Sequence, residues 1–475
     1  MKIQLFIGPS MLALALLSAC GTPTNAPLPA APAPQVRPTP PPQPAPPALA
    51  ALADRVSACD ALTSGEPAAA AEPQPDTPDL ANSAVVHYDD ESNTILLRKG
   101  ARTSLAGISQ IIGRPDVLEQ LAPGEWLLSA NLRVEPGALL RVAAPEARWL
   151  KLRSDERGFV WIKALGGEIE FTGACVSSWD AARQQYDDNY QDGRGFVLAR
   201  DGARMDIRGS DLRYLGYDGP EAYGLAWRLN GTRGQLVDSD VSYNFYGVYS
   251  YEVDDLLLRG NRVHHNVMYG LDPHTRSMRL VIENNVAHDN GKHGIILAEE
   301  CSNAVVRNNV AYDNLHHGIV IYQRSNDNLV EGNTAYGNGG QGININDSAN
   351  TIVRGNIVYD NLDAGIGIGQ RASATQLLGN LVQANRGDGI ALYSDAADSL
   401  LRENNISDNS RYGIYVKTGG KLQVEANEVA GNQVGIYLNH VQAPEIAQGN
   451  NRFHANRQAD LRRADQSAPA DVEGG

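Results

Sequence analysis

A period of about 24 residues runs through the second half of the chain and leaves few folds open to it. A glycine followed by an aliphatic residue recurs at Gly224, Gly247, Gly270, Gly294, Gly318, Gly342, Gly365, Gly389, Gly413 and Gly435, in steps of 22 to 24. Two asparagine columns keep the same beat. One is Asn261, Asn285, Asn309, Asn333, Asn356, Asn380, Asn405 and Asn427; the other is Asn266, Asn290, Asn314, Asn338, Asn361, Asn385, Asn409 and Asn432. After the glycines come short alternating runs such as Gly294-Ile295-Ile296-Leu297 and Gly342-Ile343-Asn344-Ile345. Alternation of β-branched residues means strands with one buried face. The repeat is too short for a four-stranded propeller blade and lacks helical periodicity. It predicts an all-β solenoid, a right-handed parallel β-helix with about 24 residues per coil. Asparagine suits left-handed turn positions, and stacked asparagines can hydrogen-bond along the axis.

Ahead of the repeat lies a different kind of sequence. Residues 1–19 have a basic start at Lys2 and a short apolar run, too short and too early for a spanning helix, and they read as a signal peptide. Leu17-Ser18-Ala19-Cys20 resembles the bacterial lipobox, which implies lipidation of Cys20, a membrane anchor and, with Gly21 following, an outer-membrane lipoprotein facing the periplasm. Twelve of residues 21–50 are proline, so this stretch reads as an extended tether. A short helix is predicted over 51–63, inside a linker assigned to 20–81. The domain reading continues with irregular coils over 82–223, regular coils over 224–440 and a C-terminal cap and polar tail over 441–475. The remaining cysteines, Cys59, Cys175 and Cys301, are odd in number and suggest neither a metal site nor catalysis. A net charge of −15 argues against a nucleic-acid partner, although a local basic stripe can still hold a polyanion. Nothing in the sequence indicates an oligomer.

Strand geometry sorts the side chains. Counted from each glycine, the first and third positions point inward and the second and fourth point outward. The outward stripe includes Tyr249, Tyr251, Asp272, His274, Tyr322, Asn344 and Asn346, with Arg276, Arg324 and Arg371 just beyond it. Aromatic rings cover apolar sugar faces, amides bond hydroxyls and guanidinium groups pair with carboxylates, so the stripe suits an anionic polysaccharide. One coil breaks the pattern: Tyr269-Gly270-Leu271-Asp272-Pro273-His274 puts a proline at an inward position and a carboxylate and an imidazole on one face. A neutral histidine is a proton acceptor near neutral pH. His264-His265 and His316-His317 are assigned to turns and not to a metal centre. No Gly-Gly-x-Gly-x-Asp array is present, so neither a metal nor another cofactor is expected, Ca²⁺ being conceivable but not indicated.

Tyr269-Gly270-Leu271-Asp272-Pro273-His274 closely resembles the hallmark of the alginate (mannuronan) C5-epimerase family. Ser242 to Gly247 with Tyr249 to Glu252, Tyr214 to Tyr217 with Tyr223 to Leu225, and Lys292-His293-Gly294-Ile295-Ile296 are similar to its periplasmic biosynthetic branch, over roughly residues 120–440. The resemblance implies inversion at C5 of β-D-mannuronate within a polymer, giving α-L-guluronate. It assigns His274 as base, Asp272 as its orienting or carboxylate-contacting partner and Tyr269 as an acid/base. Lys292, Arg276 and Arg324 are the candidates for neutralising substrate carboxylates. Two positions depart from the family: Thr275 stands where an acid is usual, and Glu299 where the periplasmic members carry arginine. An acid there repels a uronate unless another arginine takes over; Arg324, one coil away, is the expected replacement. A uronan lyase, which expels the 4-O substituent after the same proton abstraction, and a non-catalytic polysaccharide-binding lipoprotein are the competing readings.

Overall fold

The computed structural model describes Leu52 and residues 55–64, 84–229, 231–394, 396–417, 421–439 and 446–464. The signal peptide, the lipidation site Cys20, the proline-rich tether and residues 465–475 lie outside the described residues. No described helix is long and apolar enough to cross a membrane.

Each coil contributes one short strand to each of three sheets, which contain 16, 14 and 17 strands among the described residues. In one coil these are Ile295–Ala298, Val305–Arg307 and Val310–Tyr312, and Ile319–Tyr322 then begins the next. Equivalent residues pair in parallel register, as Ile295↔Ile319 and Leu297↔Ile321 do. The predicted inward positions are inward: Ile295, Leu297, Ile319, Ile321, Ile343, Ile345, Ile366, Ile368, Ile390, Leu392, Ile414 and Val416 are all fully buried. Each such side chain contributes about 1.5–3 kcal/mol relative to exposure, and the repeat keeps like residues stacked.

The ladder asparagines stack and bond along the axis, as expected, but are not themselves the left-handed residues. The left-handed residue is the one before each ladder asparagine, such as Asn284 (φ 56°), Asn308 (φ 54°), His265 (φ 55°) and Asp289 (φ 52°). The asparagine itself is buried and bonds up and down the stack: the Asn309 amide nitrogen donates to the Ile282 carbonyl and to Asn333 Oδ1, at 2.9 and 3.0 Å. In one coil the ladder member is Asn404 and not Asn405, which is exposed.

Both ends of the solenoid differ from the sequence reading. Leu105–Ile112 is a helix that buries Leu105 and Ile108 against the first strands, with Ser104 as its N-cap and Gly113 (φ 62°) closing it. The sheets also continue past residue 440, through Ile446–Gly449, Arg452–His454 and Ala459–Arg463.

The segment before residue 82 is tied to the solenoid. The helix Ala58–Ser64 carries Cys59, which forms a disulfide with Cys175, while Cys301 is a buried free thiol. Arg55 donates to the Gly260 and Ser239 carbonyls at 2.9 and 2.7 Å, and Leu52 packs with Val286 and Val310. The cross-link spans 116 residues of sequence. Cys59→Ser is expected to lower stability by about 2–4 kcal/mol, because a long loop regains its freedom in the unfolded chain. Thermal unfolding measures the loss.

Candidate active site

The rule-breaking coil floors a cleft of about 380 Å³ on the 16-stranded sheet. Asp272, His274, Tyr322, Asn344 and Asn346 of the outward stripe line it, together with Tyr269 from the position before the glycine, whereas Tyr249 and Tyr251 do not. Tyr246, His293, His317 and Glu299 complete the polar lining.

His274 ends the strand Leu271–His274. Its Nδ1 lies 2.7 Å from Thr275 Oγ1, and that hydroxyl donates to Glu299 Oε2 at 2.9 Å. A carboxylate only accepts, so the Thr275 hydrogen is committed to Glu299 and His274 must carry its own hydrogen on Nδ1. This leaves Nε2 as the acceptor nitrogen. Burial pushes the His274 pKa down, and Glu299 raises it part of the way back. The ring of Tyr249 lies 5.7 Å from that of His274 and supports it. Thr275 sits at φ 24°, a region that β-branched residues avoid, so backbone strain accompanies this chain of contacts. The two positions that depart from the family pattern thus meet in one chain of contacts, from Glu299 through Thr275 to His274.

Asp272 is 1% exposed, and neither of its carboxylate oxygens has a hydrogen-bond partner. Burial, reinforced by Glu299, holds its pKa well above the usual carboxylate range, against the opposing charge of Lys292. Burial thus favours its protonated form, which would present an unused donor to the cleft. Pro273 removes one backbone donor from the middle of the strand, and pairing with the next coil is made only at Leu271↔Ile295 and His274↔Ala298.

Tyr269 stacks on His293 with centroids 5.3 Å apart, and burial, then Asp272, push its pKa up to about 12. It holds its proton and is suited to donate it. His293 stacks on His317 at 5.0 Å. His293 Nδ1 accepts from the His317 backbone N–H at 3.2 Å, and His317 Nδ1 accepts from that of Gln341 at 2.8 Å. Both rings therefore carry their hydrogen on Nε2. Burial lowers both pKa values, that of His293 to about 3, so these are neutral donors and not cations. The sequence reading put His317 in a turn and named His293 only within a motif. The signal that finds them is stacking at the 24-residue period, Tyr269 to His293 to His317.

The remaining predicted residues lie elsewhere. Tyr249 is packed, at 7% exposure, in an aromatic cluster with Tyr246 and Tyr223, and is not presented to solvent. Tyr251 lies under the Arg228 guanidinium, 4.9 Å from its ring centre. Arg276 pairs with Glu252, Arg324 with Glu300 at 2.8 Å and Arg371 with Asp347 at 2.9 Å. None of the three arginines is in the cleft lining, so Arg324 does not stand in for the family arginine there. Lys292, also absent from the cleft lining, sets its ammonium 5.2 Å from the Tyr269 ring centre.

Residues 223–382 and 363–467 match the family described as right handed beta helix region. A mannuronan C5-epimerase of Pseudomonas aeruginosa is 29% identical over 190 residues, covering 37% of this chain and 34% of the relative. The mannuronan C5-epimerase AlgG of Azotobacter vinelandii is 31% identical over 177 residues, covering 34% and 33%. The chain thus spans about a third of the length of the curated relatives it matches. The crystal structure of the periplasmic alginate epimerase AlgG has the same fold, with a TM-score of 0.61 at 22% identity over 76% of this chain and 84% of that one.

Proposed function

The chain belongs to the right-handed β-helix family, and from that premise we propose that it is a mannuronan C5-epimerase acting on polymannuronate. The carrying observation is His274, whose Nδ1 is tied through Thr275 to Glu299 so that Nε2 is free to accept a proton, in one cleft with the protonated Tyr269.

The C5 proton is α to a carboxylate and becomes removable only when that carboxylate is neutralised. In this reading the neutral donors Asp272, His293 Nε2–H and His317 Nε2–H, with the Lys292 charge close by, hydrogen-bond the substrate carboxylate and stabilise the developing aci-carboxylate. His274 Nε2 takes the C5 proton. The Tyr269 hydroxyl gives its proton to the opposite face of C5, which inverts the centre. Solvent then takes the proton from His274 and returns one to Tyr269, restoring both groups. Tyr322, Asn344 and Asn346 extend the same face for neighbouring sugars. The polymer runs along the solenoid axis in this reading, because Tyr322 and Asn346 stand opposite each other on consecutive coils. The reaction needs no metal or other cofactor from the cleft residues named here. Export and a lipid anchor at Cys20 belong to the same proposal, on the strength of the lipobox.

Proton NMR of polymannuronate incubated with the protein in D₂O tests the reading. Guluronate signals with deuterium at C5 are the expected result. Unsaturated chain ends identify a lyase instead, and an unchanged polymer overturns both enzymatic readings.

A further inference from the structure

A second group of imidazoles lies on the 17-stranded sheet, a different face from the cleft. The strands Arg262–His264 and Val286–His288 belong to consecutive coils and pair in register, His264 opposite His288. Their rings stack at 4.9 Å, inclined by 3°. The next residue of each coil, His265 (φ 55°) and Asp289 (φ 52°), is left-handed and turns its side chain back beside the preceding imidazole. His264 Nδ1 and His265 Nδ1 are 2.8 Å apart, and His288 Nδ1 is 2.6 Å from Asp289 Oδ2. One donor atom each from His265, His288 and Asp289 lies within 4.8 Å of the others.

The support behind His264 fixes its tautomer. His264 Nε2 is 3.2 Å from Oδ1 of Asp240, which is 1% exposed and also held by Arg262. The carboxylate accepts only, so Nε2 carries the hydrogen and the Nδ1 lone pair faces His265. His265 then donates its own Nδ1–H to that lone pair, and a partner held behind one ring nitrogen is the arrangement that orients a metal-ligating histidine through its other nitrogen. The coils on either side place Ser242 with Tyr243 and Tyr312 with Asp313 at the same two positions, so the imidazoles are confined to two coils.

We propose that His265, His288 and Asp289 bind one divalent transition ion of the zinc class, with His264, itself held by Asp240, as the outer-shell partner of His265. Imidazole with a single carboxylate favours zinc, nickel or copper, whereas calcium and magnesium take oxygen ligands. Because the ligands come from two consecutive coils, the ion clamps those coils together, and its binding adds to the stability of the stack. This assigns a ligand to histidines that the sequence alone places in turns.

The test uses the full chain without a polyhistidine tag, stripped with chelator, and titrated with Zn²⁺ by calorimetry and with Co²⁺ by visible absorption. One equivalent of Zn²⁺ is expected, with a rise in Tm and Co²⁺ bands of a nitrogen-containing low-coordinate site. His265→Asn and Asp289→Asn keep residues that tolerate the left-handed backbone. Each is expected to weaken binding at least tenfold and to change the Co²⁺ bands, with circular dichroism and turnover on polymannuronate unchanged. No uptake by the unaltered protein overturns the proposal, and so does uptake that both variants leave intact. Neither result bears on the cleft, because no ligand named here lines it.

Discussion

His274→Ala is expected to lower kcat/KM on polymannuronate by about 10³-fold, the loss usual for removing a positioned general base, while leaving the fold intact. The side chain is partly exposed at the cleft, and its backbone partner on the next coil, Ala298, needs nothing from the imidazole. Steady-state NMR rates on the purified variant measure the effect; normal turnover would remove His274 from the reaction. The pH profile carries a second, sharper reading. Only the neutral imidazole accepts a proton, and burial favours that form, so the rising limb of kcat/KM should lie below the ordinary histidine value of 6.5. Tyr269, pushed up to about 12, keeps its proton across the neutral range, so tyrosine ionisation should not pull the rate down until strongly alkaline pH. Glu299→Gln removes the charge that raises the His274 pKa and should move the rising limb further to acid, with a rate loss of about tenfold from the weakened Thr275 contact. A limb that stays in place in this variant would break the link between Glu299 and the base.

The largest expected effect on stability comes from one of two adjacent asparagines. Asn404 Nδ2 donates to the Leu377 carbonyl and to Asn427 Oδ1, both at 2.9 Å, and its own Oδ1 accepts from the backbone and side-chain nitrogens of Asn380, at 3.0 and 2.9 Å. Alanine removes all four bonds and strands buried donors and acceptors, each costing about 1–3 kcal/mol. With partial relaxation and one bond of Asn427 retained through the Asn404 N–H, a net loss of about 4 kcal/mol is expected. Asn405 is exposed, and Asn405→Ala should change stability by less than about 0.5 kcal/mol. Urea unfolding of the two variants side by side measures the contrast. Equal effects would mean that the ladder is not what holds the coils in register.

That pair also marks where the sequence stops. A repeat encodes each residue's neighbours directly, because residue i meets the residue about 24 further on in the coil above. The parallel β-helix, the inward aliphatic stack and the shared face of Asp272 and His274 follow from period and alternation alone, and the Tyr-Gly-Leu-Asp-Pro-His coil announces itself by breaking them; Tyr269, on the other side of the glycine, is marked only by the family resemblance. Between Asn404 and Asn405 the spacing leans to Asn404, which stands 24 residues after Asn380 and 23 before Asn427 against 25 and 22, but it is the local backbone, with Glu403 in the left-handed position (φ 57°), that turns Asn404 inward and leaves Asn405 exposed. Three further features needed the tertiary structure. The disulfide from Cys59 to Cys175 joins a segment outside the repeat to a coil inside it, and no periodicity relates the two. The contact from Glu299 through Thr275 to His274 depends on which way turn side chains bend, so two residues that read as departures became one working unit. The neutral state of His293 and His317 is set by burial and by the backbone N–H groups facing their Nδ1 atoms. Spacing is a property of the chain, whereas side-chain direction, protonation and cross-links between non-equivalent coils depend on what the folded neighbours leave dry and within reach.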